Sequence, residues 1–176
     1  QNQLDKKDLP VLQEVFGHPI SWTVLKGKSN YFCGEHFEAN RDDIRNYLLQ
    51  GTSDLDFKEA DATIQQIAKW AEKDVTGDLE YFPFEVPTKV RELIACNNET
   101  THEKGSEGAN FCFAMRARAR AKESQIVLVN HTLLALDISL RNESDGYVSI
   151  LPDTQSVVID EAHEFEKQAI LAFSDD

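Results

Sequence analysis

Apolar positions along the chain fall into two patterns. Short continuous runs of β-branched and aromatic character occupy residues 20–25 (I-S-W-T-V-L), 126–129 (I-V-L-V) and 157–159 (V-V-I). Such runs read as strands, the last two of the type buried on both faces. Longer stretches carry apolar residues at helical spacing. Near the N-terminus Leu12, Val15 and Phe16 share one face of a short helix, with Asp5 or Asp8 as its cap and Gly17-His18-Pro19 as its stop. Residues 38–73 are helical in pattern, with a start at 54–57 and with Ile64, Ile67, Ala68 and Trp70 on one side. Gly77, Pro83 and Pro87 interrupt it. A helix restarts over 88–95, with Val90, Leu93 and Ile94 inward. Residues 97–110 (N-N-E-T-T-H-E-K-G-S-E-G-A-N) offer no apolar anchor beyond Ala109 and read as a loop. An alanine-rich helix follows over 111–123. Another spans 132–138 (T-L-L-A-L-D-I), with a turn at 142–146. Short apolar segments flank Pro152-Asp153, and a final helix spans 164–173. Strands interleaved with helices predict an α/β fold.

Composition narrows this little. At 176 residues, 41% apolar and 28% charged, the chain is long enough for one good core, or a core plus a small lobe. It has no uninterrupted apolar run of membrane-spanning length. The opening Q-N-Q-L-D-K-K-D has no signal-peptide character, so the cytoplasm is the expected compartment.

Charge changes more. The net charge of −13 excludes a whole-surface attraction to nucleic acid. The positive residues are nevertheless clustered: Arg116, Arg118, Arg120 and Lys122 alternate with alanines. On a helix Arg116 and Arg120 share one face, and Arg118 and Lys122 the other. Contact with a phosphate backbone and a plain solvated face both remain open.

Two groups of residues carry candidate chemistry. The run before Asp160 and Glu161 would deliver two adjacent carboxylates at a strand end. There an aspartate holds Mg²⁺ and a neighbouring glutamate orients or deprotonates water. His163 would join them to a second site. The plainer reading is an acidic helix N-terminus. The cysteines, Cys33, Cys96 and Cys112, are three, so a complete disulfide framework is excluded. Buried core thiols and a metal or redox role both remain.

The order of motifs adds a resemblance. D-E-A-H at 160–163 resembles the acidic box of superfamily 2 helicases. L-K-G-K-S-N-Y-F-C at 25–33 is similar to a segment of the DinG branch of the XPD-like helicases. C-F-A-M-R-A-R-A-R-A-K-E-S-Q-I-V-L-V-N-H at 112–131 resembles the stretch from that family's last cluster cysteine to its V-N-H motif, and L-D-K-K-D-L-P at 4–10 resembles the segment just after its motif Ia. Residues 35–89 carry no family motif.

The resemblance implies a partial RecA-like parallel sheet with an inserted, mainly helical iron–sulfur-type lobe. Residues 1–32 and 116–176 would belong to the first motor domain, and 33–115 to the lobe. It implies an ATP-dependent helicase that moves 5′ to 3′ along single-stranded DNA, in a DNA-repair setting. Asp160 would position Mg²⁺ with ATP, Glu161 would activate water, and His163 would link nucleotide state to DNA binding. Arg116, Arg120, Asn130 and His131 would lie on the DNA path.

The family's [4Fe–4S] cluster takes four thiolates. Cys33, Cys96 and Cys112 match the first, second and fourth, and no cysteine matches the third. His102 and Ser106 stand in that window, and imidazole is the better iron ligand. A cluster completed by His102, a three-iron cluster and a lobe held by packing alone all stay open. The phosphate-binding G-x-x-x-x-G-K-[ST] does not occur in the chain. The chain is therefore expected to be a fragment that is inactive alone. The alternative is a non-catalytic nucleic-acid-binding or regulatory module derived from such a helicase. A small metal or redox domain would explain the cysteines but not the acidic box.

Overall fold

The structure is a computed structural model that describes residues 3–51, 57–74, 76–97 and 112–173. The fold is mixed α/β, with a small parallel sheet and a large helical lobe. The chain forms two compact units, one of Gln1–Lys26 with Ala117–Asp176 and one of Gly27–Arg116.

In the first unit β1 (Trp22–Val24) pairs in parallel with β2 (Ile126–Leu128), placing Trp22 opposite Ile126 and Val24 opposite Leu128. Parallel neighbours require a crossover. Here the crossover contains the whole second unit. The register is pinned at its entry. The Ser21 amide donates to Gln125 Oε1 at 2.9 Å, the Gln125 amide donates back to the Ser21 carbonyl at 3.0 Å, and Thr23 and Ser124 hydroxyls lie 2.6 Å apart.

Residues 157–159 depart from expectation. They form no strand, and Val157, Val158 and Ile159 are 58%, 93% and 38% exposed. A β-prone run becomes a strand only where a neighbour offers a free ladder. Among the described residues β1 and β2 offer theirs only to each other.

The N-terminal helix also differs in its face and its cap. A π-helical turn, Leu4–Asp8, runs straight into α1 (Leu9–Phe16). Asp8 therefore has helical dihedrals and makes no side-chain cap, because no helix end exists there to be capped. Asp5 accepts the Trp22 indole N–H at 2.9 Å instead. Gly17, at φ +68°, ends the helix as expected. Leu9 is buried, whereas Leu12, Val15 and Phe16 are exposed.

Two further helices of this unit, α7 (His131–Glu143) and α8 (Ala162–Phe173), pack on each other. The polar residue in L-L-A-L-D is the surprise. Asp137 is 4% exposed. Its carboxylate accepts the Ile150 and Leu151 amides at 2.6 and 2.8 Å and Arg141 Nε at 2.8 Å. Arg141 also reaches Asp153 and the Leu151 carbonyl. A buried carboxylate this fully paired folds residues 147–153 back onto α7.

The second unit holds α2 (Gly34–Ala39), α3 (Arg41–Gly51), α4 (Phe57–Lys73) and α5 (Thr88–Ile94). Of the expected inward positions, Ile64, Ile67, Val90 and Ile94 are buried, and Ala68, Trp70 and Leu93 are half-buried. Phe32 is the aromatic centre, with Phe37, Trp70 and Phe113 rings 5.6, 5.8 and 6.2 Å away. A sixth helix, α6 (Phe113–Glu123), leads out of this unit. The expected loop at 97–110, all but Asn97, and the expected helix start at 54–56 lie outside the described residues. Among the described residues no helix is long and apolar enough to cross a membrane.

Candidate functional site

The acidic box forms an exposed turn at the start of α8. Glu161 has φ +48°, an uncommon left-handed backbone for a residue with a side chain. Its amide donates to Asp160 Oδ1 at 3.0 Å, and its carbonyl accepts the Glu164 amide at 2.8 Å, which starts the helix. His163 Nδ1 lies 3.5 Å from Glu161 Oε2, and His163 Nε2 lies 3.6 Å from Glu164 Oε1. The Glu161 and His163 side chains are 70% and 69% exposed, so both are open to a ligand.

Residues 130 and 131 are engaged within the protein. Asn130 Oδ1 accepts the Leu133 amide at 2.9 Å and caps α7. His131 Nε2 donates to the Asp160 carbonyl at 2.8 Å, and its ring meets Phe165 edge-on at 5.8 Å. The structure thus brings His131, Asp160, Glu161 and His163 together. Sequence reasoning missed the link between His131 and the acidic box, because the two are 29 residues apart.

On α6 the buried stripe is Ala114, Ala117 and Ala121. Arg118 and Lys122 are exposed, while Arg116 and Arg120 are half-buried. The Arg116 guanidinium stands 5.3 Å from the Phe113 ring centre.

The three cysteines converge in the second unit. An antiparallel bridge pairs Phe32 with Ala95, so Cys33 and Cys96 flank it on one face. The Cys33 amide donates to the Ile94 carbonyl and the Cys96 amide to the Tyr31 carbonyl, both at 2.8 Å. Cys33, Cys96 and Cys112 are all buried, and none is in a disulfide. Cys96 hydrogen-bonds both Cys112 and Cys33, and these bonds together with burial push its thiol up. The Cys33 thiol is lowered to about 6. The hydrogen bond from Cys96 is the main cause; burial opposes it, and the His36 and Glu35 amides and the His36 ring add to it.

Among the described residues no group of three or more His, Cys, Asp or Glu could hold a metal ion. The thiols bond to one another, and Cys96 also to the Phe32 carbonyl at 3.5 Å. As placed they do not fit a cluster. His102 and Ser106 lie outside the described residues.

Comparison with known proteins covers nearly the whole chain. It is 31% identical, over 96% of its length, to the 3′-5′ exonuclease DinG of Bacillus subtilis. It is 29% identical over 96% to the ATP-dependent DNA helicase DinG of Photobacterium profundum, and 25% over 93% to the ATP-dependent DNA helicase YoaA of Escherichia coli. The chain spans 16%, 24% and 24% of those relatives. No family model matches it. The chain is thus homologous to the DinG/XPD-like superfamily 2 helicases at family level, at low identity and over part of their length.

Proposed function

We propose that this chain is part of an ATP-dependent DNA helicase that moves 5′ to 3′ on single-stranded DNA. The carrying observation is an exposed Asp160–Glu161 pair in a chain that aligns over nearly all of its own length with part of proteins named ATP-dependent DNA helicases. Mg²⁺ bound with ATP would neutralise charge on the phosphates. Asp160 would hold that ion. Glu161 would orient and deprotonate the attacking water. His163, placed between Glu161 and Glu164, would pass the state of this site onward. Residues 33–115 would form a lobe beside the DNA strand, bordered by α6.

Reversing Arg116 and Arg120 to glutamate in the full-length protein tests the DNA half of this reading. Single-stranded DNA binding should weaken by about tenfold or more, with little sequence dependence and a shallower salt slope. Unchanged affinity assigns the pair to a solvated face. The same reversal at Arg118 and Lys122 shows which face of α6 meets the phosphates.

The resemblance implies a [4Fe–4S] cluster held by Cys33, Cys96 and Cys112 with His102, which the placement of the three cysteines does not fit, and iron content decides between the two. Protein purified without oxygen should then carry about four irons per chain and show sulfide-to-iron absorption. His102→Ala should lower the iron content and Ser106→Ala should not. Colourless, iron-free protein leaves the three cysteines as core thiols.

A further inference from the structure

We infer that His131 is a positioning residue for the acidic pair: its Nε2–H, donated to the Asp160 carbonyl, fixes the peptide unit between Asp160 and Glu161 and so aims both carboxylates. The inference rests on the reading that this pair serves ATP hydrolysis.

The turn needs such a restraint. It is exposed, it has no strand partner among the described residues, and Glu161 sits at φ +48°. A left-handed backbone at a residue with a Cβ is disfavoured and persists only where its surroundings enforce it. Within the turn, the Asp160 side chain holds the Glu161 amide. That bond is local and spends an oxygen that a cation would claim. The bond from His131 reaches across 29 residues and leaves both carboxylates free.

The histidine stands on a firm base. It is the first residue of α7, directly after the Asn130 cap. Leu133, Leu134 and Ala135 bury the following turn. Thr132 Oγ1 donates to Gln168 Oε1 at 2.8 Å, and Ser139 Oγ donates to the Ala172 carbonyl at 3.1 Å, which fastens α7 to α8. The Phe165 ring, also on α8, holds the imidazole edge-on. Three attachments therefore set α7 against the helix that the acidic turn begins. The chemistry requires a donor at Nε2, since a carbonyl oxygen only accepts. A nitrogen committed in this way is not available to a DNA phosphate.

The test compares His131→Ala, His131→Gln and Glu161→Gln in the full-length protein. His131→Ala should lower kcat for DNA-stimulated ATP hydrolysis by about tenfold or more, with the KM for ATP within about twofold and single-stranded DNA affinity unchanged. His131→Gln, whose amide N–H can reach the same carbonyl, should restore most of the loss. If the alanine variant fails to fold, His131→Leu keeps the contact with Phe165, removes the donor and carries the same comparison. Weakened DNA binding with normal kcat would overturn the inference and give the ring to DNA. Normal turnover in the His131 variants beside an inactive Glu161→Gln would overturn it while leaving the reading of the acidic pair intact. An active Glu161→Gln would remove that reading itself.

Discussion

Glu161→Gln in the full-length protein should cut ATP turnover by about a thousandfold while Mg²⁺–ATP binding stays nearly unchanged. The amide keeps the size of the side chain and removes the base. Binding survives because the ion is assigned to Asp160. Asp160→Asn should do the reverse first, weakening the metal-dependent part of nucleotide binding. Single-turnover hydrolysis and equilibrium ATP binding separate the two effects. A Glu161→Gln protein that turned over ATP at close to the wild-type rate would remove the assigned role. Glu161 lies 3.5 Å from His163 with its side chain 70% exposed, so water can reach it.

Gly77→Ala should have the largest effect on stability. Gly77 lies at φ +62°, and a Cβ there would overlap the Phe113 ring. Neither neighbour can easily yield. Gly77 donates its amide to Asp74 Oδ1 at 2.6 Å, and its carbonyl accepts the Phe32 amide at 2.8 Å. Phe113 is packed edge-on against Phe32. Backbone strain plus overpacking should cost about 2–4 kcal/mol. Gly34→Ala is the control, because nothing lies within 4 Å of its added Cβ. Chemical denaturation of the 176-residue chain compares them. Equal midpoints for the two variants would contradict the packing described for the Phe32 cluster.

How much of this was legible in the sequence depended on how local each feature is. The α4 face shows the point. Ile64 and Ile67 repeat at helical spacing and are buried as that spacing predicts. The runs at 20–25 and 126–129 were recognisable as strands, and β1 and β2 realise them. The similar run at 157–159 was not a safe inference, because a strand is a relation between two segments. The exposed face of α1 makes the same point: spacing shows which side is apolar, not whether anything covers it. Asp137 looked like a polar position on a helix. Its burial follows from Arg141 and the amides of Ile150 and Leu151, which no local pattern reveals. In the candidate site the acidic box stood out as two adjacent carboxylates after an apolar run, whereas the grip of His131 on Asp160 depends on tertiary placement.

The proposed helicase function requires the full-length protein to couple ATP turnover to DNA. ATP hydrolysis by the full-length protein, measured with and without single-stranded DNA beside a 5′-tailed duplex, tests it most directly. The account predicts turnover that rises by about tenfold or more with single-stranded DNA, and strand separation that requires ATP. Nucleotide release from DNA without ATP, together with no DNA-stimulated ATP turnover, would contradict it.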